Sequence, residues 1–343
     1  MNISAFVIGV ATTFFTIFSL YILLWRERRT RFQTVVGGIM AVWAVWCLKD
    51  IVLTFPHMYT PKVLNWILMI DGWSALTYTL LVAEVVMPRW MTLRRFLLCC
   101  FPFAAFTVAY ALWPSDTIIY AYTVFLWCYA WGVVIVGYVK MRHHLAYIQT
   151  NFSNLKDIDV SWLRPFFVFA IMGQLAWLFT SLYANTLTDI IYYVLVIGLW
   201  CLVLYYSWNF RPIAVEAEVP VIGLEESSST PSTTLPKGML ERVMEEQRLY
   251  LKRDLTLTDL AQALGTNRTY VSNYLSQVLR QTFYDYVNQQ RIEHMSIPMM
   301  QEHPEYKLEY VAAQSGFASL STFRRAFVKL TGKTPGRFCQ DNS

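Results

Sequence analysis

Apolar residues form long unbroken runs through the first 210 residues of the chain, and short helical periods after them. Seven runs of about 18 to 24 residues are separated by short clusters of charge, and each is long enough to cross a hydrocarbon core of about 30 Å as an α-helix. The runs cover residues 4–25, 33–54, 64–87, 96–113, 117–139, 165–185 and 188–209. The pattern predicts a bundle of seven transmembrane helices.

Basic residues between the runs lie almost entirely in alternate loops. Twelve Lys and Arg occur in one set of loops, and the opposite set has only Lys62. Because basic residues in short loops stay on the cytoplasmic side, we expect an N-terminus outside and everything after Arg211 in the cytoplasm. The predicted location is the cytoplasmic (inner) membrane, crossed several times. A cleaved signal peptide is not expected, since the positive charges follow the first apolar run instead of preceding it.

The composition changes again after Arg211. Residues 212–236, PIAVEAEVPVIGLEESSSTPSTTLP, are rich in Ser, Thr and Pro with four Glu, a composition that favours a flexible linker. A random coil of this length spans roughly 25 to 30 Å. The predicted organisation is a transmembrane domain over residues 1–211, the linker, and a soluble domain over residues 237–343.

The soluble domain shows the periodicity of short amphipathic helices, which predicts an all-α fold. Thr256 and Asp259 have the spacing of a capping box, so a helix is expected to begin there. That helix ends at Gly265, and a second helix begins at about Arg268 and continues through TYVSNYLSQVLR. A helix, a tight turn with glycine and a second helix make a helix-turn-helix unit.

The same arrangement recurs further along the chain. Residues 308–315 form a helix, Gly316 and Phe317 the turn, and LSTFRRAFVKLTG a second helix that Gly332 closes. The helix FYDYVNQQRIEHMSIPMM joins the two units. LTLTDLAQALGTNRTYVSNYL, RIEHM and VAAQSGFASLSTFRRAFVKLTGKTP resemble the DNA-binding domain of the AraC/XylS family of bacterial transcription regulators. The resemblance implies sequence-specific binding to double-stranded DNA.

The resemblance also implies which residues contact DNA. In the first recognition helix the base-facing positions fall on Thr269, Ser272 and Asn273, with Arg268 beside them. In the second unit they fall on Leu320, Ser321, Thr322 and Arg325. Arginine can bind guanine bidentately and asparagine can bind adenine, which agrees with two of these positions. Phosphate contacts are expected from a basic set that has no acid among it: Arg324, Arg325, Lys329, Lys333 and Arg337.

Other positions of this domain have structural interpretations. From Lys237 onward there are fourteen Lys and Arg against eleven Asp and Glu, a net charge of +3 that any soluble domain can have. Pro298 should kink the joining helix, and Lys307 stands where the family usually has a Ser or Thr cap. Apolar residues at helical spacing predict a core of Tyr270, Val271, Leu275, Phe317, Phe323 and Phe327.

Four ionisable residues fall within the predicted spans: Lys49, Asp50, Asp71 and Glu84. Such residues are costly in lipid and mark functional sites or ion pairs. Lys49 can pair with Asp50 or Asp71, which is one interpretation. The other is an outward-facing polar pocket for an external small molecule, formed by Lys49, Asp50 and Asp71 with His57, Trp66 and Trp73. Glu84 lies near the cytoplasmic end, where Arg89 or Arg94 can neutralise it.

Composition agrees with a membrane protein, since 56% of residues are hydrophobic, 16% aromatic and only 15% charged. The six cysteines and five histidines show no spacing for a metal site or a disulfide framework. No nucleophile with a base and no phosphate-binding loop is present, so an enzyme is not expected. We expect no metal and no cofactor.

The predicted function is a membrane-anchored one-component transcription regulator, controlled by a signal sensed in the transmembrane domain. One alternative is a transporter or membrane enzyme with a DNA-binding appendage. Another is a membrane-stored transcription factor that is released by proteolysis in the linker. A homodimer is a further expectation, because many helix-turn-helix proteins bind paired half-sites, although no GxxxG motif supports association of the spans.

Overall fold

The computed structural model describes six ranges of the chain and Phe55: residues 3–26, 29–50, 60–183, 186–208, 210–213 and 238–341. The described residues contain helices and no β-strand. They form two compact units. Unit 1 comprises Met1–His144 and Val160–Val215, and unit 2 comprises Leu145–Asp159 and Glu216–Ser343. Of the predicted linker 212–236, residues 214–236 lie outside the described residues.

Unit 1 is built from long apolar helices. The helices are α1 (Ile3–Leu20), α2 (Arg31–Lys49), α3 (Pro61–Asp71), α4 (Ala75–Val86), α5 (Leu93–Leu112), α6 (Asp116–Asn151), α7 (Leu163–Tyr183) and α8 (Thr186–Ser207). A π-helical turn, Tyr21–Trp25, extends α1, and a 3₁₀ turn, Gly72–Ser74, joins α3 to α4. The last turns of α6 belong to unit 2.

Six helical segments of the described chain are long and apolar enough to cross a membrane. They are Ala5–Trp25, Arg31–Lys49, Pro61–Val86, Leu93–Leu112, Asp116–Asn151 and Ile190–Ser207. A seventh apolar stretch, Leu163–Phe179 within α7, is shorter. Several apolar helices are therefore present, as the sequence predicts, and the count of seven spans stays a prediction.

Aromatic side chains fill the centre of unit 1. Trp200 is fully buried, and the rings of Phe15, Trp43 and Tyr78 pack around it at centroid distances of 6.0–6.4 Å. Edge-to-face and offset ring contacts add to the burial of apolar area. The indole N–H of Trp43 donates to Thr77 Oγ1 at 3.1 Å. These contacts bring α1, α2, α4 and α8 together.

Unit 2 contains shorter amphipathic helices. Its helices are α9 (Met239–Glu246), α10 (Leu257–Ala263), α11 (Arg268–Asn273), α12 (Phe283–Arg291), α13 (Ile297–Glu302), α14 (Leu308–Gln314), α15 (Leu320–Thr331) and α16 (Pro335–Asp341). One apolar cluster contains residues of α9 to α12, and a second contains residues of α13 to α15. The joining helix supplies Phe283 and Val287 to the first cluster, and Ile292 and Met300 to the second.

The helix caps and glycine turns of unit 2 lie at the positions that the sequence predicts. Thr256 Oγ1 accepts a hydrogen bond from Asp259 N at 3.1 Å, and Asp259 Oδ2 accepts one from Thr256 N at 2.9 Å, which confirms the capping box. Gly265 and Gly332 adopt φ of +65° and +73° after α10 and α15. Lys307 provides no side-chain cap for α14. Caps and turns therefore form where the sequence predicts them, while α11 continues past Asn273 as a π-helical turn, Tyr274–Val278.

One expectation for the core of unit 2 needs correction. Val271, Leu275, Phe317, Phe323 and Phe327 are buried, whereas Tyr270 is only half-buried. Its ring lies near the start of α11, where a side chain remains partly open to solvent.

Pro298 lies where the joining helix departs from a regular α-helix. A π-helical turn, Ile292–Ser296, precedes it, the Ile297 N–H donates to Ile292 O, and Pro298 falls in the first turn of α13. The kink expected at Pro298 stays a prediction.

Residues 145–159 pack with unit 2, although they lie within the range that the sequence assigns to the transmembrane domain. They comprise the end of α6 and the loop before α7. Phe152 forms an antiparallel β-bridge with Thr256. Composition and periodicity give no sign of this association, because it depends on hydrogen bonds between residues about a hundred positions apart.

Candidate nucleic-acid interface and charge cluster

The first recognition helix, α11, exposes the residues that the sequence selects. Asn267 caps the helix, since its Oδ1 accepts a hydrogen bond from Tyr270 N at 3.0 Å. Thr269 and Asn273 are exposed, and Arg268 and Ser272 are partly exposed. Positions 269, 272 and 273 are spaced three and four residues apart, so they share one helical face. Val271 and Leu275 on the opposite face are buried. The helix thus presents a polar face whose side chains can form hydrogen bonds with base edges in a DNA groove.

The second recognition helix, α15, has the same division into two faces. Ser319 caps it, with its Oγ accepting from Thr322 N at 3.2 Å. Phe323 and Phe327 are fully buried. The opposite face exposes Ser321, Arg324, Arg325 and Lys329. A capped helix with serine and arginine at its start offers N–H groups and cations to phosphate oxygens or base edges.

The structure removes one residue from the predicted contact set. Thr322 is 5% exposed, and its hydroxyl lies 2.9 Å from Ser319 Oγ at the helix cap. Its side chain therefore supports the start of α15 from inside and does not reach the exposed face. Leu320 is half-buried and packs against the second apolar cluster, so only part of it faces outward.

The basic end of the domain is partly neutralised by a residue from the joining helix. Lys329 Nζ lies 2.7 Å from Asp285 Oδ1. Arg324 and Arg325 are exposed and form no ion pair with any described residue. Lys333 and Arg337 are also exposed. Arg324 and Arg325 are therefore the cations of α15 best suited to bind an anionic partner, because no acid competes for them.

Arg291, to which the sequence assigns no role, holds the middle of unit 2 together. It is 1% exposed at the end of α12. Its guanidinium donates to the carbonyl oxygens of Tyr250 at 2.7 Å, Lys252 at 2.9 Å and Arg253 at 3.2 Å. Burial lowers its pKa to about 10, which leaves it charged at neutral pH. In the sequence, Arg291 opens the RIEHM motif and directly precedes Ile292 of the core.

The two helix-turn-helix units meet at a turn that needs glycine. Gly316 has φ of +82°, and a Cβ atom there would lie 2.8 Å from Leu251 O and 2.9 Å from Tyr250 O. A side chain would be strained by the backbone angle and would also collide with a neighbouring backbone. The Arg291 guanidinium lies 5.5 Å from the ring centre of Phe317. Arg291 and Gly316 therefore fix the second unit against the residues that precede the first.

Charged residues in unit 1 form a partly buried cluster. Lys49 Nζ lies 2.5 Å from Asp50 Oδ1 and 2.6 Å from Asp71 Oδ1. The Tyr193 hydroxyl donates to Asp50 Oδ2. Both interpretations of the sequence expected Lys49 near these acids. In the structure Lys49 pairs with Asp50 and with Asp71. One cation and two carboxylates give this cluster a formal charge of −1.

Asp71 also lines a cavity of about 240 Å³ between α4, α6, α7 and α8. Most of the lining is aromatic or aliphatic, and the polar members are Asp71, Ser74, Tyr78, Tyr129, Gln174 and Tyr192. A mostly apolar cavity with a few convergent polar groups is the usual form of a small-molecule site. Lys49 and Asp50 do not line the cavity. Lys49 is linked to it by the ion pair with Asp71.

The two tryptophans of the predicted pocket lie elsewhere. Trp66 packs against Tyr110 at 5.3 Å between ring centres, and the Trp73 indole donates to Thr107 at 3.1 Å, so both tryptophans contact α5. His57 lies outside the described residues. The cavity beside Asp71 therefore extends toward Tyr78 and Gln174, and the two tryptophans do not line it.

Glu84 pairs with a different arginine from those predicted. Glu84 Oε1 lies 2.9 Å from Arg31 Nε, and Glu84 is buried. Arg89 and Arg94 follow Glu84 closely in sequence, but Arg31 at the start of α2 reaches it across the packed helices. The pair neutralises a carboxylate that is costly to bury alone.

No metal site is found in the part of the chain that the structure describes, where no group of three His, Cys, Asp or Glu is placed to hold an ion. In that part all six cysteines are free thiols.

Comparison with known proteins agrees with the geometry of unit 2. A family described as "Helix-turn-helix domain" matches residues 260–341. The C-terminal part of the chain is an AraC-type helix-turn-helix domain. It includes both recognition helices, α11 and α15.

Curated relatives are similar over the same region. An uncharacterized HTH-type transcriptional regulator of Staphylococcus aureus strain COL is 26% identical over 102 residues, which is 30% of this chain and 13% of the relative. Counterparts from strains MSSA476 and MRSA252 have the same identity and coverage. The similarity thus spans only 13% of the relatives' own length. No solved structure matches the chain significantly.

Proposed function

We propose that this chain is a membrane-anchored, one-component transcription regulator that binds specific DNA sequences through α11 and α15. The observation that carries the proposal is the pair of exposed polar recognition faces in an AraC-type helix-turn-helix domain. The relatives are named as transcriptional regulators, which supports the same role here. The contact set is Arg268, Thr269, Ser272, Asn273, Leu320, Ser321, Arg324, Arg325, Lys329 and Lys333, without Thr322.

Membrane anchoring is supported by the apolar helices of unit 1. We propose seven spans, with the shorter stretch Leu163–Phe179 completing the six longer ones. The basic residues of alternate loops support an N-terminus outside and a DNA-binding domain in the cytoplasm. The ion pair of Arg31 with Glu84 is in keeping with this orientation, because it lies near the proposed cytoplasmic surface. A homodimer stays a prediction.

The proposed entry point of the signal is the cavity beside Asp71. Its aromatic lining favours an apolar or aromatic molecule, and its volume of about 240 Å³ favours a small one. The charge cluster at its edge has a formal charge of −1, which favours a ligand with an amine. We therefore propose small aromatic amines as the ligand class. Binding shifts the DNA-binding state only if the two states differ in affinity for the ligand.

Genome-wide mapping of bound DNA tests the DNA-binding function. Full-length protein should give discrete peaks that share a sequence motif, and a variant with Asn273→Ala and Arg325→Ala should lose them. Arg242→Ala is the matched control, because Arg242 is exposed on α9 outside the proposed contact set. An absence of specific peaks from correctly inserted, abundant protein would overturn the proposal.

A panel of small aromatic amines and neutral analogues of equal size tests the sensor. Hydrogen exchange in α4 and α7 of the purified full-length protein should slow more with the amines. Ala130→Phe, which fills the cavity, and Asp71→Asn should remove that protection. Val124→Phe is the control, since Val124 lies on α6, is 63% exposed and does not line the cavity. Equal protection by neutral analogues would reject the ligand class, and protection that survives Ala130→Phe would reject the cavity.

A further inference from the structure

Residues 145–159, hereafter the docking segment, comprise the end of α6 and the loop before α7, yet pack as part of unit 2. Ser153 is completely buried there. The partners of this buried side chain, Leu255 and Arg291, are more than a hundred residues away in sequence. A connection between two helices does not require such contacts. The contacts of the docking segment therefore call for a functional explanation.

Direct hydrogen bonds join the docking segment to the residues just before α10. Ser153 N donates to Leu255 O at 3.1 Å, and Ser153 Oγ donates to the same oxygen at 2.7 Å. Asn154 Nδ2 donates to Asp254 Oδ1 at 2.7 Å. Thr256, which pairs with Phe152 in the β-bridge, is also the N-cap of α10. The docking segment thus holds the start of the first helix-turn-helix unit.

The docking segment also completes the hydrogen bonds of Arg291. Arg291 Nη1 donates to Ser153 O at 3.4 Å, and Nη2 donates to Ser153 Oγ at 3.3 Å. The same guanidinium holds the carbonyl oxygens of Tyr250, Lys252 and Arg253 and lies beside Phe317 of the second unit. A buried charge depends on all its partners. Withdrawal of Ser153 would therefore disturb the junction between the two helix-turn-helix units.

We propose that the docking segment is an intrachain binding partner of the DNA-binding domain, and that its engagement with residues 254–256 and Arg291 sets the domain's affinity for DNA. Helix α6, whose last turns belong to the docking segment, and helix α7, which follows the segment, also supply Trp127 and Gln174 to the cavity lining. A ligand in the cavity therefore contacts the helices on both sides of the loop 152–159. The effect on DNA rests on the proposed function, whereas the docking itself does not.

Disulfide trapping tests the docking directly. Full-length protein with Asn154→Cys and Asp254→Cys, kept in lipid bilayers, should form a disulfide between these positions under mild oxidation. Peptide mapping by mass spectrometry separates this bond from bonds of the native cysteines, and each single variant serves as a control. Failure of the pair to form the bond would overturn the docking.

Release after cleavage tests whether the contact holds the domain. A site for a specific protease is inserted within residues 227–234, and the cleaved membranes are washed in high salt, which screens adsorption of a basic domain to lipid. Ser153→Trp should release at least about tenfold more of the C-terminal fragment than the parent chain, because Ser153 has no room for a larger side chain. Lys156→Trp, at an exposed position of the docking segment, should behave like the parent. Equal release from the parent and Ser153→Trp would overturn the proposal.

DNA affinity of the uncleaved protein tests the regulatory part. Ser153→Trp should change the Kd for a mapped site by about 5- to 150-fold, the range typical of coupled sites, and Lys156→Trp should leave it unchanged. An unchanged Kd, with release confirmed, would reject the regulatory role and retain the docking. If the parent chain binds no specific DNA, the proposed function fails, while trapping and release still decide the docking.

Discussion

Replacement of Arg291 by Met should destabilise unit 2 more than any other single change of an arginine in it. The methionine side chain fills part of the same volume but removes every hydrogen-bond donor. The carbonyl oxygens of Tyr250, Lys252 and Arg253 would lose their guanidinium partner in a buried site. Ser153 would lose it as well.

The size of the effect follows from these partners. A buried acceptor left without a partner costs about 1–3 kcal/mol, so the loss of the guanidinium from three carbonyl oxygens and Ser153 is expected to cost about 3–5 kcal/mol in all. The desolvation of the guanidinium is regained on truncation, which keeps the estimate below the sum of the individual hydrogen bonds. A loss of about 3–5 kcal/mol corresponds to roughly two to three and a half decades in the equilibrium constant for unfolding.

Hydrogen exchange with mass spectrometry can measure this loss in the full-length protein. Amides of α10 and α12 should exchange faster by those two to three and a half decades in Arg291→Met, while amides of α1 and α2 should be unchanged. Arg242→Met makes the same chemical change at an exposed position and should stay within about 0.5 kcal/mol of the parent. A change of less than threefold in α10 and α12 would refute the role assigned to Arg291.

Other substitutions separate local from tertiary causes. Gly316→Ala should cost about 2–4 kcal/mol in the same exchange assay, whereas Gly265→Ala, with a positive φ but open space around its Cβ position, should cost about 1 kcal/mol; equal losses would contradict the close approach. Ser321→Ala should weaken DNA binding in a titration and leave the free energy of unfolding almost unchanged. Thr322→Ala should lower the free energy of unfolding, with a smaller effect on DNA binding. Arg325→Gln should weaken binding to a mapped site by about 1–3 kcal/mol, and Lys329→Gln by less, because Asp285 already neutralises Lys329; a larger loss for Lys329 would contradict this. Burial acts to raise the pKa of Asp259, but hydrogen bonds from Thr256 and the Lys252 ammonium outweigh it, so the pKa lies below 3.8. The stabilisation from Asp259 should therefore be complete above pH 3.8 and be lost as the pH falls through the folded-state pKa, so that Asp259→Asn and parent differ at neutral pH and converge in acid.

Local features of unit 2 were predictable because they depend on residues within one helical turn of each other. The capping box of Thr256 and Asp259, the turn at Gly265 and the start of α11 at Arg268 all involve neighbours in sequence. Apolar periodicity likewise marked Phe323 and Phe327 as core. Hydrophobic runs of sufficient length marked the apolar helices of unit 1 for the same reason.

The candidate sites were predictable only in part. The polar face of α11 followed from the resemblance and from helical spacing. The burial of Thr322 did not follow, because it depends on how α15 turns its first residues toward Ser319 and the second apolar cluster. The cavity beside Asp71 requires four helices whose mutual positions no local pattern specifies.

By itself, the sequence determined the helical character of the chain, the apolar helices, and two helix-turn-helix units with their caps and turns. Periodicity and capping act over a few residues, and the sequence displays them directly. The tertiary structure alone decided that Asp285 pairs with Lys329, that Arg31 neutralises Glu84, and that Ser153 joins Arg291 across 138 residues. Such contacts arise when packing brings distant segments together, because the stabilisation then comes from partners that no local pattern specifies.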